Sequence, residues 1–283
     1  MLIIGSRGSK LALWQAEHVQ TMLLAKGIET RIEIIKTVGD RVQDVPISTL
    51  GTKGVFTKEL EDALLAGAID IAVHSLKDMM TILPGGLVLA ATPEREDPHD
   101  ALAGTPLNQL PKGAVVGTSS TRRAAQLHAL RPDLEIREIR GNVDTRLRKL
   151  DEGQYDAVVL AAAGLRRLGL SARISQLFEA ADMTPAPGQG ALAIETRAEG
   201  PGFNAARLLD DPEVHTAITA ERAVLEALGG GCQVPIGAYA EVFASTIHMR
   251  AMIARDGHLF RQSGEGHISN AREFGLAIGE RLK

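Results

Sequence analysis

Arginine is concentrated in one part of this sequence. Between Gly117 and Arg173 there are eleven basic residues, ten of them arginine, against seven acidic ones, so this segment carries +4 in a chain whose formal net charge is −4. Arginine grips carboxylates and phosphates in a planar two-point contact, so the segment is a candidate anion-binding region. For any single arginine, a solvated helical surface is an equally good interpretation.

Several cations stand in glycine-rich loops where a predicted strand ends. The stretch 117–123 (Gly-Thr-Ser-Ser-Thr-Arg-Arg) leads from a strand into a helix, and 140–142 (Arg-Gly-Asn) repeats the arrangement with Arg146 one turn further on. The stretches 5–9 and 51–54 are similar. Helix N-termini offer free N–H groups to anions, and open α/β sheets bind ligands beyond the carboxyl ends of their strands. We therefore expect one polyanionic ligand between two lobes.

A lysine and an aspartate, Lys77 and Asp78, follow the predicted strand 69–73. A buried carboxylate beside a lysine could stabilise a developing cation or exchange protons. An aspartate that satisfies local backbone donors explains the same pattern equally well.

The only cysteine, Cys232, follows three glycines. A single cysteine excludes an internal disulfide and with it a disulfide-stapled secreted domain. A lone cysteine is more often an inert core residue, but the flexible, accessible glycine run favours a reactive thiol.

Other function classes are disfavoured. The stretch 188–193 fits a loose dinucleotide pattern but precedes a strand instead of opening a helix. The histidines and the cysteine lack zinc-like spacing, so no metal is expected. Aromatic residues make up only 3% of the chain, which argues against a base-stacking platform.

The hydrophobic pattern predicts alternating strands and helices. The predicted strands are 2–4, 31–37, 69–73, 87–91, 114–116, 134–139, 157–160 and 191–195. The predicted helices run from Ser9 to a stop at Gly27 (apolar face Leu11, Trp14, Val19, Met22 and Leu23), then over 58–65 with Thr57 as cap, 121–130, 144–150 and 213–228, and from Asn270. This alternation is typical of mixed sheets with helices on both faces.

Two proline-containing segments, 93–100 and 184–190, predict that the chain crosses twice between two α/β lobes. We expect one domain of residues 1–94 and 189–211, a second of 98–185, and an α+β third of 212–283 with a hairpin at Asp256-Gly257. With no signal-like leader and no membrane-length apolar run, the expected class is a soluble cytoplasmic protein.

The motifs together resemble the porphobilinogen deaminase (hydroxymethylbilane synthase) family almost end to end. The resemblance is carried by 11–16 (Leu-Ala-Leu-Trp-Gln-Ala), 53–60 (Lys-Gly-Val-Phe-Thr-Lys-Glu-Leu), 74–78 (His-Ser-Leu-Lys-Asp), 117–120, 122–123, 140–143, 188–190 and 230–235 (Gly-Gly-Cys-Gln-Val-Pro). One departure is Met79-Met80, where the family usually has Val-Pro or a similar pair.

The resemblance implies two periplasmic-binding-protein-like (type II) lobes with mixed sheets and a small α+β C-terminal domain. It implies a transferase of tetrapyrrole and heme biosynthesis that carries a dipyrromethane cofactor on Cys232 through a thioether. The enzyme would deaminate four porphobilinogen molecules, join them stepwise to the cofactor and release hydroxymethylbilane by hydrolysis. A monomer is implied, with the product passed to uroporphyrinogen-III synthase and no nucleic-acid or membrane partner.

The resemblance also assigns site residues. Asp78, with Lys77, would be catalytic and would stabilise positively charged pyrrole intermediates. Cofactor binding, besides Cys232, would involve Lys53, Ser75, Lys77, Asp78, Thr118, Ser119, Ser120, Arg122, Arg123, Arg140, Gly141 and Asn142. Substrate binding would involve Arg7, Ser9, Gln15, Phe56, Arg140, Arg146, Arg167 and Gln189.

Two alternatives stay open on the residues alone. A non-catalytic two-lobed protein that binds a carboxylate or phosphate ligand would have similar lobes, although it has no use for a third domain with Cys232. A nucleic-acid-binding protein would suit the arginines but not the net charge of −4 or the scarcity of aromatic residues.

Overall fold

The computed structural model describes residues 1–37, 57–229 and 234–283. The strands are β1 Leu2–Ser6, β2 Thr30–Ile34, β3 Ile71–Ser75, β4 Leu87–Ala91, β5 Asp100–Gly104, β6 Val115–Gly117, β7 Glu135–Arg137, β8 Ala157–Ala161, β9 Gln176–Leu177, β10 Leu192–Arg197, β11 Ile236–Phe243, β12 Thr246–Arg255 and β13 His258–His267. The α-helices are α1 Lys10–Ala25, α2 Lys58–Leu65, α3 Thr121–Leu130, α4 Val143–Asp151, α5 Ala162–Arg167, α6 Pro201–Arg207, α7 Pro212–Ala227 and α8 Ala271–Glu280.

The chain forms two compact units. Unit 1 comprises residues 1–96 and 191–215, and unit 2 comprises residues 97–190 and 216–283. Each unit is built from segments that are distant in sequence, because the chain passes from one unit to the other three times.

Unit 1 is a five-stranded mixed sheet with the order β2-β1-β3-β10-β4. Strands β2, β1 and β3 are parallel, whereas β10 is antiparallel to both of its neighbours. One hydrophobic cluster, which includes Ile4, Val73 and Ile194, packs with α1 and α6, and another, which includes Ala72, packs with α2. Apolar layers therefore cover both faces of the sheet, as an α/β sheet requires.

Unit 2 contains a second five-stranded sheet with the same plan, in the order β7-β6-β8-β5-β9. Strands β7, β6 and β8 are parallel, and β5 is antiparallel to β8 and β9. In each sheet the fourth strand, β10 or β5, is the segment that arrives just after the chain has crossed from the other unit. This exchange of the fourth strand gives both lobes the same mixed-sheet topology.

A separate three-stranded antiparallel sheet, β11-β12-β13, completes unit 2. One of its faces packs on α7 and α8 through a cluster that includes Ala238, Met249 and Ile278. Asp256 and Gly257 both have positive φ, 50° and 77°, as the two-residue turn of the β12–β13 hairpin requires. The predicted hairpin and the small α+β C-terminal part are confirmed.

Most predicted elements are present, with shifted ends. Helix α1 is capped by Ser9 as predicted, but its buried side includes Ala12, Gln15 and Ala16, while Leu11 and Trp14 are only partly buried. The prediction of Thr57 as a helix cap is wrong, because its backbone is already helical and its side chain makes no capping bond. The segment 93–100 is shorter than predicted, since Asp100 begins β5. None of the described helices is long and apolar enough to span a membrane.

Candidate functional site

The chain turns sharply where β3 ends, at the predicted catalytic pair. Residues Leu76–Asp78 form a single 3₁₀ turn. The Leu76 N–H donates to the Ala191 carbonyl at 3.1 Å, and the Met79 N–H donates to the Leu76 carbonyl at 3.0 Å. The side chains of Leu76 and Met79 are buried on either side of Lys77 and Asp78. The family usually has Val-Pro after this aspartate. Here the buried side chain of Met79 holds the backbone in place after Asp78.

The carboxylate of Asp78 is exposed, so the expectation of a buried carboxylate is wrong. Across the residues described, its oxygens accept no hydrogen bond and form no ion pair. Lys77, its neighbour on the turn, is half-buried. An exposed carboxylate without a protein partner is free to face a cation that arrives from solution.

Residues from the start of unit 1 approach the same turn. Ser9 caps α1 by accepting the Ala12 N–H at 3.3 Å, and Gln15, one turn further along, is buried. The side-chain amide of Gln15 donates to the Ser75 Oγ at 2.8 Å. Two predicted site residues are thus in direct contact beside the turn. Arg7 lies, half-buried, in the loop between β1 and α1.

In unit 2 two polar loops lie side by side, because they follow the paired parallel strands β6 and β7. The Thr118 N–H donates to the Arg137 carbonyl at 3.0 Å, and the Ser119 hydroxyl donates to the Ile139 carbonyl. Ser120 caps α3 by accepting the Arg123 N–H at 3.4 Å. The structure therefore brings together the two loops that the sequence predicts as anion sites.

The second of these loops carries two partly exposed arginines. The Arg140 Nε donates to Glu138 at 2.9 Å, and the Arg146 Nε donates to the Gly141 carbonyl at 2.8 Å. Gly141 has φ +109°, and a Cβ there would lie 2.6 Å from the side chain of Thr145. Only glycine fits this turn, which leads into Asn142 and α4.

Arg122 and Arg123 lie in the interior of unit 2, on the first turn of α3. Both guanidinium groups contact Asp100, which is 0% exposed, at 2.6 Å and 2.7 Å. Arg122 also donates to the Thr184 carbonyl at 2.7 Å. Burial alone would raise the pKa of the Asp100 carboxyl, but the two guanidinium groups outweigh burial and hold that pKa well below its usual range.

Gln189 and Arg167 belong to the same buried region. The Gln189 side-chain amide donates to Asp100 at 2.9 Å and to the Pro98 carbonyl at 2.7 Å. Arg167 donates to the Gly190 carbonyl at 2.7 Å. These predicted binding residues therefore have protein partners. The predicted binding residues of unit 2 that are exposed or partly exposed are Ser119, Ser120, Arg140, Gly141, Asn142 and Arg146.

Three buried acids were not singled out from the sequence. Asp100 holds the arginine pair, Glu195 on β10 contacts His74 at 2.9 Å, and Glu221 on α7 accepts the backbone N–H groups of Gly188 and Ala240 at 2.7 Å and 2.8 Å. A charged residue inside an apolar strand, as in Leu-Ala-Ile-Glu at 192–195, is the signal that could have revealed Glu195.

Some predicted site residues are outside the described residues. These are Lys53, Phe56 and Cys232. Among the residues that are described, no group of three or more histidine, cysteine or acidic side chains could hold a metal ion.

Comparison with protein families decides the relationship. The model of the porphobilinogen deaminase dipyrromethane cofactor-binding domain matches residues 2–204, and that of the porphobilinogen deaminase C-terminal domain matches residues 215–283. The chain belongs to the porphobilinogen deaminase family. The cofactor-binding model spans both loops of unit 2 and the turn of unit 1, whereas the C-terminal model spans the third sheet.

Curated porphobilinogen deaminases are similar over nearly their whole length. The protein from Roseiflexus sp. (strain RS-1) is 51% identical, over 99% of this chain and 95% of that protein. The protein from Syntrophobacter fumaroxidans is 47% identical, over 99% of this chain and 93% of that protein. Among solved structures, an ABC transporter periplasmic substrate-binding protein from Coxiella burnetii matches 76% of this chain and 94% of that chain with 16% identity and a TM-score of 0.48.

Proposed function

We propose that this chain is a transferase that deaminates porphobilinogen and joins four such units stepwise to a dipyrromethane primer. Hydrolysis then releases the product, hydroxymethylbilane. The observation that carries the proposal is the match of both family domains, which together cover the chain from residue 2 to residue 283 with a break only at 205–214. A two-lobed binding protein would not require the C-terminal domain.

The donors of unit 2 suit a primer that carries acetate and propionate groups. Carboxylates need cations and N–H groups, and the loops 118–120 and 140–142 present both, together with Arg146. We assign the binding of primer and growing-chain carboxylates to these residues, and the covalent thioether to Cys232. When bound, the primer supplies the free pyrrole carbon that accepts the first substrate unit. The buried pair Arg122 and Arg123 contributes to this binding indirectly, because it holds α3 and its cap residue Ser120 in place.

The exposed carboxylate of Asp78 suits the charge that develops in this reaction. Loss of ammonia from the aminomethyl group of porphobilinogen leaves positive charge on the pyrrole ring, and bond formation then releases a proton. A carboxylate with no partner in the described structure is placed to stabilise that charge and to accept the proton. Polar groups for the substrate carboxylates come from Lys77 on the same turn and from Ser75, Gln15, Ser9 and Arg7.

Further properties are proposed on the strength of family membership. The third sheet with α7 and α8 forms a separate domain, which gives the three domains 1–94 with 189–211, 98–185 and 212–283. The protein works as a monomer in the cytoplasm and passes its product to uroporphyrinogen-III synthase. Lys53 and Phe56 take part in binding the cofactor and the substrate respectively.

Intact mass spectrometry of the purified protein, beside Cys232→Ser, tests the proposal. We expect the wild-type mass to exceed the sequence mass by two linked pyrrole units, and the variant to have its bare mass. Porphobilinogen added to the wild type should give further mass steps of one pyrrole each, with release of ammonia. A bare wild type that gains no mass from either hydroxymethylbilane or porphobilinogen would show a binding protein with the family's motifs.

A further inference from the structure

Two buried ionisable side chains, His74 and Glu195, lie next to the turn Leu76–Asp78 but play no part in the chemistry proposed above. His74 is the penultimate residue of β3, and Glu195 is on β10, the strand paired with it. They are 5% and 0% exposed, and the His74 Nε2 is 2.9 Å from the Glu195 Oε2. The contact ties the end of β3 to the neighbouring strand β10.

The environment of this pair leaves it few alternative partners. Within the described residues, the second carboxylate oxygen of Glu195 has no hydrogen-bond partner. His74 shares a face of β3 with Ala72, which packs against α2, so water is excluded from that side. On α2, burial raises the pKa of Glu61, and the nearby Glu195 carboxylate raises it further. Because a buried carboxylate without a donor is costly, the bond to His74 is strongly favoured and directional.

The position of Asp78 depends on this region, because its own carboxylate has no partner among the described residues. Its location is set by the backbone of the turn. That backbone is anchored by the Leu76 N–H bond to the Ala191 carbonyl and by the pairing of Ser75 with Leu192. Both anchors require β3 and β10 to keep their register up to the last residue of β3. The contact between the His74 and Glu195 side chains joins the same two strands diagonally, because His74 is paired with Ala193 in the register. It lies one residue before the Ser75–Leu192 pair along β3.

We infer that His74 is a positioning residue, which acts through Glu195 to fix the 3₁₀ turn that carries Lys77 and Asp78. The inference rests on the proposed function, because it assigns Asp78 to catalysis. His74 itself touches neither substrate nor cofactor on this account. Displacing a catalytic group by about 1 Å can cost roughly 10²-fold in rate, so loss of the contact should appear in kcat.

Three variants of the cofactor-loaded protein separate positioning from stability. His74→Gln keeps a donor near the position of Nε2, and His74→Leu removes the donor. His74→Leu with Glu195→Val removes both polar groups of the pair. Replacing a buried ion pair by apolar residues is often neutral for stability. Ile71→Val, a buried change at the other end of β3, is the matched control for mild destabilisation of the same strand.

We expect kcat to fall by roughly 10²-fold in His74→Leu and in the double variant, with KM and cofactor mass unchanged, and to be largely kept in His74→Gln. The double variant should recover the melting temperature but not kcat, and Ile71→Val should keep wild-type kcat. Wild-type kcat in the double variant would overturn the inference.

Amide hydrogen exchange gives a readout that does not depend on activity. The N–H groups of Leu76 and Met79 should exchange faster in His74→Leu and in the double variant than in the wild type or in Ile71→Val. Unchanged protection of both amides would also overturn the inference. If the wild-type protein itself made no hydroxymethylbilane, the proposed function would fail, and the exchange result would still decide whether His74 anchors the turn.

Discussion

Asp78 is a carboxylate left without a protein partner at the end of a strand that is otherwise buried. Strand β3 is apolar except for His74 and Ser75, and a 3₁₀ turn follows it at Leu76–Asp78, on which Lys77 is half-buried and Asp78 is exposed. No described group pairs with its charge. The proposed function gives this carboxylate a partner, the cationic pyrrole species that forms only during the reaction.

Asp78→Asn should therefore leave folding and cofactor loading intact and reduce turnover. Amide and carboxylate have the same shape, but the amide lacks the charge that stabilises a developing cation, so we expect kcat to fall by roughly 10²- to 10³-fold. Single-turnover assays and intact mass would measure both properties. Asp62→Asn, which removes another exposed carboxylate of unit 1, one that pairs with Lys58 on α2, is the control and should keep wild-type turnover. Full activity in Asp78→Asn would contradict the assignment.

At the scale of elements, helices α7 and α8 pack closely because glycines lie at their contact. A Cβ on Gly275 would come 2.1 Å from the Ala220 carbonyl oxygen and 2.7 Å from the Ala223 Cβ. Gly279, one turn later, is similarly close to Ala227. The approach of the two helices therefore depends on the absence of side chains at these positions.

Gly275→Ala should destabilise the protein, although helix propensity alone would favour alanine by about 1 kcal/mol. The added methyl must push the helices apart, and overpacking of this kind costs about 1–3 kcal/mol. Urea denaturation would give the change in the free energy of unfolding. Ala277→Gly is the control, because Ala277 is on the exposed side of α8 and its replacement changes helix propensity but not packing. It should lower the free energy of unfolding by about 1 kcal/mol. A gain in stability for Gly275→Ala would show that the contact is loose.

The sequence predicts most elements because their apolar residues follow the period of a helix or strand. Helix α2 and helix α3 have the predicted bounds, since Pro, Gly and polar residues surround them. Strand β5 was missed because its first residue is Asp100 and its segment follows a polar linker, so local pattern cannot reveal its burial. The contacts of Asp100 with Arg122 and of Glu195 with His74 join residues 22 and 121 positions apart, which no local window contains.

At the scale of the whole chain, Asp100 lies close to two of the three passages between the units, the one that enters unit 2 at residue 97 and the one that leaves it at residue 190. Its carboxylate accepts bonds from Arg122 and Arg123 on α3 and from Gln189 in the segment that leads to β10. Gln189 in turn donates to Pro98, and Arg166 donates to Asp97 at 2.6 Å. One buried charge therefore fixes both segments, 97–100 and 184–190, to the same lobe.

Asp100→Asn should be strongly destabilising, because it leaves two buried guanidinium groups without a counter-charge. Breaking a buried pair by removing one partner costs about 3–5 kcal/mol, and here two pairs share the lost charge. The folded-state pKa of Asp100 is depressed below 3.8, so its contribution is fully present above that pH and is lost as the pH falls through the folded pKa. The difference in unfolding free energy between wild type and variant should therefore be largest near neutral pH and shrink in acid.

The matched control is Asp133→Asn, which removes a carboxylate whose pKa is lowered to about 2 by hydrogen bonds from Arg131 at the surface of the same lobe. Because solvent screens that pair, the control should lose much less stability at neutral pH, although its loss should fade over a similar acidic range. Denaturation curves for the three proteins, recorded from pH 7 down to the acid limit of folding, would measure this. Equal losses of unfolding free energy in the two variants would mean that the contacts of Asp100 stabilise the fold no more than an ordinary surface ion pair does.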